Sequence, residues 1–405
     1  MSTPTTHRHF SSQFWLMFAG LVLSSTGTTM IWPFMLVYAS EKLGQPLTTV
    51  TSLMTINSIC ALIAAILAGS LADQIGRKIV MGIGLLGQAA IYLLYIPSKE
   101  FVVFALLMGL SGFFVPLYRV GTDAMLADMF PPEERAQAYA LVRMGRNIGV
   151  ALGPILGGLV LAKSYNIGLL AAASTLAVFG LITFLFLNET RPTAASSSAE
   201  SLRDQLRVYK SALQNKFFSR LIGAHTLMEI CGTLVWAFLV VYLKQNFGIN
   251  EAQYSWLPTT NALMVVFLQV FVTRLTQKKR PTSMLTLGSA FYGATMLIIA
   301  LSSSFWGFWA AMVIMTVGEL IIAPTATTFV SGIAPENQRG RYLGLFGLTW
   351  NLGMAVGPLS AGILTDAIGT RAPYFGATLI GVFSVFAFLA LDRLYLRKKP
   401  TSQLP

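Results

Sequence analysis

Residues 130–158 read FPPEERAQAYALVRMGRNIGVALGPILGG, and residues 334–362 read APENQRGRYLGLFGLTWNLGMAVGPLSAG. At one constant spacing Pro131 pairs with Pro335, Arg135 with Arg339 and Asn147 with Asn351. Gly149, Gly153, Pro154 and Gly158 pair in the same way with Gly353, Gly357, Pro358 and Gly362. Two unrelated apolar helices would agree at Leu and Ala. Agreement at Pro, Arg, Asn and Gly marks an internal repeat, and a repeat this long divides the chain into two equivalent halves.

The medium around those halves follows from composition. Of 405 residues, 55% are hydrophobic and only 11% are charged, and the mean hydropathy is +0.66. A soluble protein of this size needs far more charged surface, so most of the chain faces lipid. Apolar stretches long enough to cross about 30 Å of hydrocarbon fall near 14–38, 48–72, 79–97, 102–127, 139–162, 167–188, 217–243, 253–275, 283–302, 306–331, 341–364 and 374–395. Their connections are short except for 189–216, which begins as a low-complexity stretch and ends in the amphipathic, basic LRDQLRVYKSAL. Such a segment suits a helix lying on a membrane surface. The organisation expected is a bundle over 1–188, a cytoplasmic linker over 189–216 and a second bundle over 217–405. The fold class is all-α integral membrane: about twelve helices in two six-helix bundles related by a pseudo-twofold. Parallel repeats of this kind place a substrate site between the halves near the bilayer midplane.

The net charge of +12 raises the question of a nucleic-acid partner, and its distribution answers it. With both termini cytoplasmic, the outer loops hold only Lys42, Lys99, Lys163, Lys244 and Arg371, while Arg119, Arg143 and Arg146 lie within spans. The remaining Lys and Arg, including Arg77, Lys78, Arg274, Lys278, Lys279 and Arg280, are cytoplasmic. The positive-inside rule accounts for this pattern and sets the orientation in the cell's inner membrane; no nucleic acid is required. Cys60 and Cys231 fall inside predicted helices, without disulfide or metal-ligand spacing. The N-terminal residues 1–13 are polar, and the first apolar run is too long for a cleaved signal, so it is expected to stay as the first span.

The loop between the second and third spans reads Gly69-Ser70-Leu71-Ala72-Asp73-Gln74-Ile75-Gly76-Arg77-Lys78. It resembles the G-x-L-a-D-r-x-G-R-[KR] signature of the major facilitator superfamily. Gly69 allows close approach of a neighbouring helix and Gly76 a turn that other residues resist. Asp73 is placed to accept hydrogen bonds at a helix end of the other half, and Arg77 to pair with an acid ending the fourth span, Asp128. The resemblance implies a cytoplasmic gate that latches one state and breaks during transport. The equivalent second-half loop, 273–281, lacks the Gly/Asp/Gly series. Asn147, Gly149, Gly153, Pro154, Gly157 and Gly158 are similar to the g-x-x-x-G-P-x-x-G-G motif of the superfamily's antiporters, the twelve-helix drug:proton antiporters above all. Small residues four apart also form an ordinary packing face, and the copy at Gly353–Gly362 shows that architectural use.

Ionisable groups inside spans usually face a cavity or a partner. Here they are Arg119 and Asp123, Arg143 and Arg146, His225 and Glu229, and Glu319. Arg119 resembles the arginine of the family's R-x-x-q-G motif, although Thr122 and Asp123 replace its Gln and Gly. Asp123, four residues on, either neutralises Arg119 or shares a proton-transfer role with it. Arg143 and Arg146 are expected to snorkel or to pair with Asp123 and Asp128. Glu229 and Glu319 have no partner on their own helices, and a carboxylate in an apolar site is readily protonated. Protons and a cationic substrate would compete for it. His225, one turn before Glu229, shares that proton or merely packs. The first span holds no acid, only Ser24, Ser25, Thr26, Thr28, Thr29 and Trp32.

Met30, Trp32, Tyr118, Trp236, Trp350 and Asn351, with Phe34, Phe113, Phe114, Phe238 and Met354, are candidates to line an apolar cavity suited to lipophilic cations. The function expected is proton-coupled efflux of lipophilic or cationic small molecules by alternating access; the alternative is a carrier for a defined solute, anion or lipid. No nucleophile–base set, phosphate loop or metal cluster argues for an enzyme. The expected partners are a small-molecule substrate, protons and lipid. The chain is expected to act as a monomer, with no metal or cofactor, driven by the proton gradient.

Overall fold

A computed structural model describes residues 10–191 and 210–398. They form twelve long helices: α1 (Ser12–Leu43), α2 (Leu47–Ile75), α3 (Arg77–Tyr95), α4 (Phe101–Met129), α5 (Pro132–Leu161), α6 (Tyr165–Phe186), α7 (Lys216–Phe247), α8 (Glu251–Thr276), α9 (Pro281–Leu301), α10 (Phe305–Ile333), α11 (Arg339–Ala367) and α12 (Ala372–Lys398). Eleven of them are long and apolar enough to cross a membrane. The other, α11, is as long but less apolar, with its glycines and polar residues, and it packs against α2 and α7. Of the surface helix expected in the linker, only its end at 210–214 is helical among the described residues; the rest lies outside them.

Helices α1–α6 pack as one bundle and α7–α12 as another. The repeat seen in the sequence is also a repeat of contacts. Gly149 and Gly153 of α5 press on Ser25 and Thr29 of α1, and Gly353 and Gly357 of α11 press on Glu229 and Thr233 of α7. Thr29 Oγ1 donates to the Gly149 carbonyl at 2.9 Å, and Thr233 Oγ1 donates to the Gly353 carbonyl at 3.0 Å. Each threonine stands at the same spacing from its counterpart as the glycines do. Between bundles, Gly158 meets Glu251 and Ser255 of α8, and Gly362 meets Leu47 and Thr51 of α2. These pairs repeat the spacing once more, which establishes the pseudo-twofold residue by residue.

The seams need glycine because backbone meets side chain there without room for a β-carbon. A Cβ on Gly153 would lie 2.0 Å from Thr29 Oγ1 and 2.9 Å from the Met30 amide nitrogen. The Gly153→Val substitution is therefore expected to cost about 1–3 kcal/mol through overpacking and to lower the thermal midpoint of the purified protein by several degrees. A midpoint equal to wild type would show that α1 and α5 part freely. Near the middle of α1, a 3-10 turn at Trp32–Phe34 carries Pro33. In α7, a wide π turn at Leu234–Phe238 occupies the equivalent place. These turns end at the tight contact between the bundles, where Phe34 packs edge-on to Tyr254 at 5.6 Å.

Candidate functional site

The two ends of the molecule differ. Call the end bearing Phe10, Glu189 and Lys216 the linker face. At the opposite face the bundles are tied together. Asp366, at the end of α11, accepts from the Leu47 and Thr48 amides (3.3 and 2.7 Å) and from Thr48 Oγ1 (2.7 Å). It thus caps α2, whose own N-terminus has no side-chain cap. Thr55 Oγ1 donates to the Ala355 carbonyl at 2.6 Å, and Gln245 donates to Ser40. Lys244 of α7 pairs with Glu41 of α1 and with Glu251 of α8, and Tyr165 of α6 donates to Glu251.

Toward the linker face one side of α11 is uncovered: Gly340, Gly344 and Gly347 have open space around them, as do Gly69, Gly223 and Gly332. Gly69 therefore does not make the close approach expected of it, because the other half has swung away from it. This is a state closed at the opposite face and open at the linker face. Removing the charge in Asp366→Asn weakens the α2 cap by about 1 kcal/mol. The expected result is a several-fold larger population of molecules open at the opposite face, read by labelling of a Thr55→Cys variant from that side. Unchanged labelling would mean that the cap does not bias the equilibrium.

The signature loop is assembled within the first half. Arg77 pairs with Asp73 and Asp128, both at 2.9 Å, and donates to the Ala72 carbonyl. The pairing with Asp128 is as expected. Asp73 reaches no helix of the other half among the described residues and is largely exposed. Gly76 has φ +106°, a conformation that disfavours any residue with a β-carbon. A Cβ there would also lie 2.4 Å from Glu189 Oε2. Glu189, which belongs to no motif, accepts from the Arg77 and Lys78 amides (3.0 and 3.2 Å) and so caps α3. The second half has a simpler version, in which Asp392 of α12 accepts from Thr282 and faces Arg280 at 3.8 Å.

Charges deeper in the bundles sort by half. In the first, Asp123 pairs with Arg146 of α5 at 2.8 Å. It does not neutralise Arg119: α4 and α5 adjoin there, and the cross-helix contact wins over the i,i+4 one. Arg119 and Arg143 are exposed and have neither ion pair nor hydrogen bond among the described residues. Arg143, Asn147, Pro154 and Gly158 form one stripe of α5, and Gly158 meets the other half. Arg143 thus faces the gap between the halves.

In the second half the acids converge. His225 Nδ1 lies 3.6 Å from Glu229 Oε1 and 3.0 Å from Thr349 Oγ1 of α11. Asn261 of α8 donates to Glu319 Oε2 at 2.7 Å and approaches Thr316 Oγ1 at 3.0 Å. Glu229 and Glu319 lie within electrostatic reach of each other, and Tyr292 of α9 within reach of both. Asn261 and Tyr292 reach the acids, and Thr349 reaches His225, from three further helices, and only packing brings them there; Thr316 stands one turn before Glu319 on α10. Of the cavity candidates, Trp350 is exposed and Trp32, Tyr118, Trp236 and Asn351 are partly buried. Met30, Phe34, Phe238 and Met354 are buried in the core.

Two pseudo-symmetric bundles of membrane-length helices, closed together at one face and apart at the other, are the architecture of a multi-pass membrane transporter. A family model described as Major Facilitator Superfamily matches residues 17–240 and again 221–404. The chain belongs to that superfamily and is a transporter, not an enzyme. It is similar to the Na(+), Li(+), K(+)/H(+) antiporter of Planococcus maritimus, 28% identical across 93% of this chain and 95% of that one. It is also similar to the quinolone resistance protein NorA of Staphylococcus aureus, 23% identical across 93% and 96%. In fold it matches the nucleoside transporter NupG with TM-score 0.80, 14% identity and coverage of 94% and 100%. A POT family transporter in complex with 5-aminolevulinic acid gives TM-score 0.79, 16% identity and coverage of 95% and 96%.

Proposed function

We propose that the chain is a proton-coupled antiporter of the cell membrane, working as a monomer without cofactor, that exports lipophilic or cationic small molecules. The linker face is cytoplasmic, because the Lys and Arg of the short loops concentrate there. The observation that carries the reading is the pair of carboxylates, Glu229 and Glu319, packed within reach of each other inside the second half. A proton on this pair and a positive charge beside it are alternatives, since two adjacent carboxylates hold one or the other with least repulsion. Competition for that pair is the coupling. Breaking the α2–α11 cap at Asp366 and engaging Asp73 across the linker face would accompany the change of state, as the signature's resemblance implies. Kinship with the staphylococcal quinolone resistance protein supports the same class of substrate.

A second reading is exchange of alkali cations for protons, favoured by the Planococcus relative. The Glu319 carboxylate, with the Thr316 hydroxyl one turn away on the same helix, offers oxygen ligands of the kind hard cations take. Proteoliposomes with an imposed pH gradient and a trapped pH dye separate the two. Proton release on adding lipophilic cations supports drug exchange, and release by Na+, K+ or Li+ alone supports the second reading. Silence to both removes proton antiport.

A further inference from the structure

The signature loop of the first half has a counterpart in the second half with the same place and different chemistry. At the spacing that relates the halves, Asp73 corresponds to Gln277, Arg77 to Pro281 and Asp128 to Gly332. The helices around them correspond equally closely, and α4 (Phe101–Met129) maps end to end onto α10 (Phe305–Ile333). In the first half the Arg77 side chain crosses the space where α2, α3 and α4 meet, held by Asp73, Asp128 and the Ala72 carbonyl. In the second half a cavity of about 290 Å³ lies at the corresponding place, lined by Gln277, Pro281 and Gly332 among others. All of its lining comes from α8, α9, α10, α12 and the turn between α8 and α9, so it belongs to the second half alone. We propose that this cavity binds a single-chain amphiphile with an anionic head, and that the bound molecule ties the ends of α8, α9 and α10 together as Arg77 ties those of α2, α3 and α4.

The charge around the cavity selects the sign of the head. No acid lines it. Asp392, three residues before the lining Tyr395, already accepts from Thr282 and faces Arg280. Lys279 lines the cavity, is exposed, and has no ion pair of its own among the described residues. It stands in sequence among Arg274, Lys278 and Arg280. A mouth of this composition draws an anion and repels a cation.

The walls select the rest of the ligand. Pro324, Phe329, Ile333 and Tyr395 supply apolar surface, with the Phe329 and Tyr395 rings 5.6 Å apart. Thr276 and Thr325 donate to their own helices, to the Val272 and Ile321 carbonyls, so neither brings a spare donor to a polar guest. Polar recognition is left to Lys279 and Gln277, both exposed, and the interior suits an acyl chain. Along α10 the lining runs from Ile333 inward to Pro324, about 13 Å at 1.5 Å per residue. A cavity near the lower size limit of ligand sites takes one chain of medium length and not the two of a phospholipid. The lining also closes two spans, α8 at Thr276 and α10 at Ile333, which sets the mouth at the level of the lipid head groups.

Binding to the purified full chain in a neutral maltoside detergent tests this, read from the fluorescence of dansyl-undecanoic acid and of its methyl ester. The wild type is expected to bind the acid saturably and several-fold tighter than the ester, and decanoate should displace it. A Cβ on Gly332 meets open space, so Gly332→Leu fills the cavity without crowding a neighbour. It should lower affinity for the acid roughly tenfold with the thermal midpoint unchanged. Thr328→Phe, filling the cavity one turn earlier, should act alike. Lys279→Gln should weaken the acid about threefold, the modest loss that an exposed charge gives, and leave the ester unaffected. Saturating decanoate should raise the thermal midpoint of the wild type and not that of Gly332→Leu, because a ligand stabilises only the fold that binds it. Equal wild-type affinities for acid and ester, undiminished binding in both filled variants, or displacement by phosphatidylglycerol but not by decanoate overturns the proposal.

Discussion

Glu229→Gln, reconstituted in proteoliposomes, is expected to show at least a tenfold loss of substrate-driven proton release while keeping a folded, monodisperse protein. Gln has the size of Glu and retains a carbonyl oxygen facing His225, so packing against α11 at Gly353 is preserved. What it cannot do is lose a proton, and the exchange reading needs that step. Glu319→Gln should have a smaller effect, a several-fold loss, because the Asn261 amide can donate equally well to a Gln carbonyl. Substrate binding without a gradient gives the control: weakened binding with intact proton release would place the coupling group elsewhere. Equal proton release from both variants and wild type would remove these acids from the mechanism.

The second large effect separates two kinds of glycine on the same motif. Gly153 and Gly357 pack inside a half, whereas Gly158 and Gly362 pack between halves. A Cβ on Gly362 would lie 2.3 Å from Thr51 Oγ1 and 2.7 Å from the Leu47 carbonyl. One on Gly158 would lie 2.6 Å from Ser255 Oγ and 2.8 Å from the Glu251 carbonyl. Leucine at either place wedges the opposite face apart without crowding any helix of its own bundle. Gly362→Leu and Gly158→Leu are therefore expected to raise labelling of Thr55→Cys from the opposite face about tenfold, with little change in thermal midpoint. Gly357→Leu should instead destabilise the protein and leave the labelling pattern of the surviving fraction unchanged. If Gly362→Leu unfolds the protein as readily as Gly357→Leu, the contact between halves is structural and not a gate.

The sequence made the fold legible because the repeat falls at residues whose matches are not dictated by hydrophobicity. Pro131 with Pro335 and Asn147 with Asn351 fixed the two halves, and the structure extends the spacing to Thr29 with Thr233 and Thr51 with Ser255. The pairing of Arg77 with Asp128 was legible through the signature loop. The partners of the buried acids were not, since helical periodicity gives the face a residue occupies but not the helix opposite. Asn261 reaches Glu319 from α8, and Tyr292 approaches from α9, with nothing in their local sequence to mark them.

Asp123 shows the same limit. Arg119 at i,i+4 and Arg146 of the next span are both candidate partners in the sequence, and only the packing of α4 beside α5 selects Arg146. The cavity aromatics meet a different limit. Phe34 and Phe238 share a pseudo-symmetric position and are buried, but whether that position is lined or sealed depends on which face is closed, a property of conformation and not of composition. Glu189 is far from Gly76 in sequence, and only the fold brings its carboxylate to the α3 amides.

The central claim is that the halves rock about their shared midplane, so that one face opens only as the other closes. Spin labels on a variant lacking Cys60 and Cys231 test it directly: Thr49 with Ile368 across the opposite face, and Gln74 with Gly340 across the linker face. Each pair joins α2 to α11 or to the residue that caps it. Pulsed electron–electron distances, measured in mildly acidic and mildly alkaline buffer, are predicted to move in opposite directions at the two faces, the linker-face pair shortening wherever the opposite-face pair lengthens. Two pairs that lengthen together, or neither moving between buffers, would contradict proton-linked alternating access in this protein.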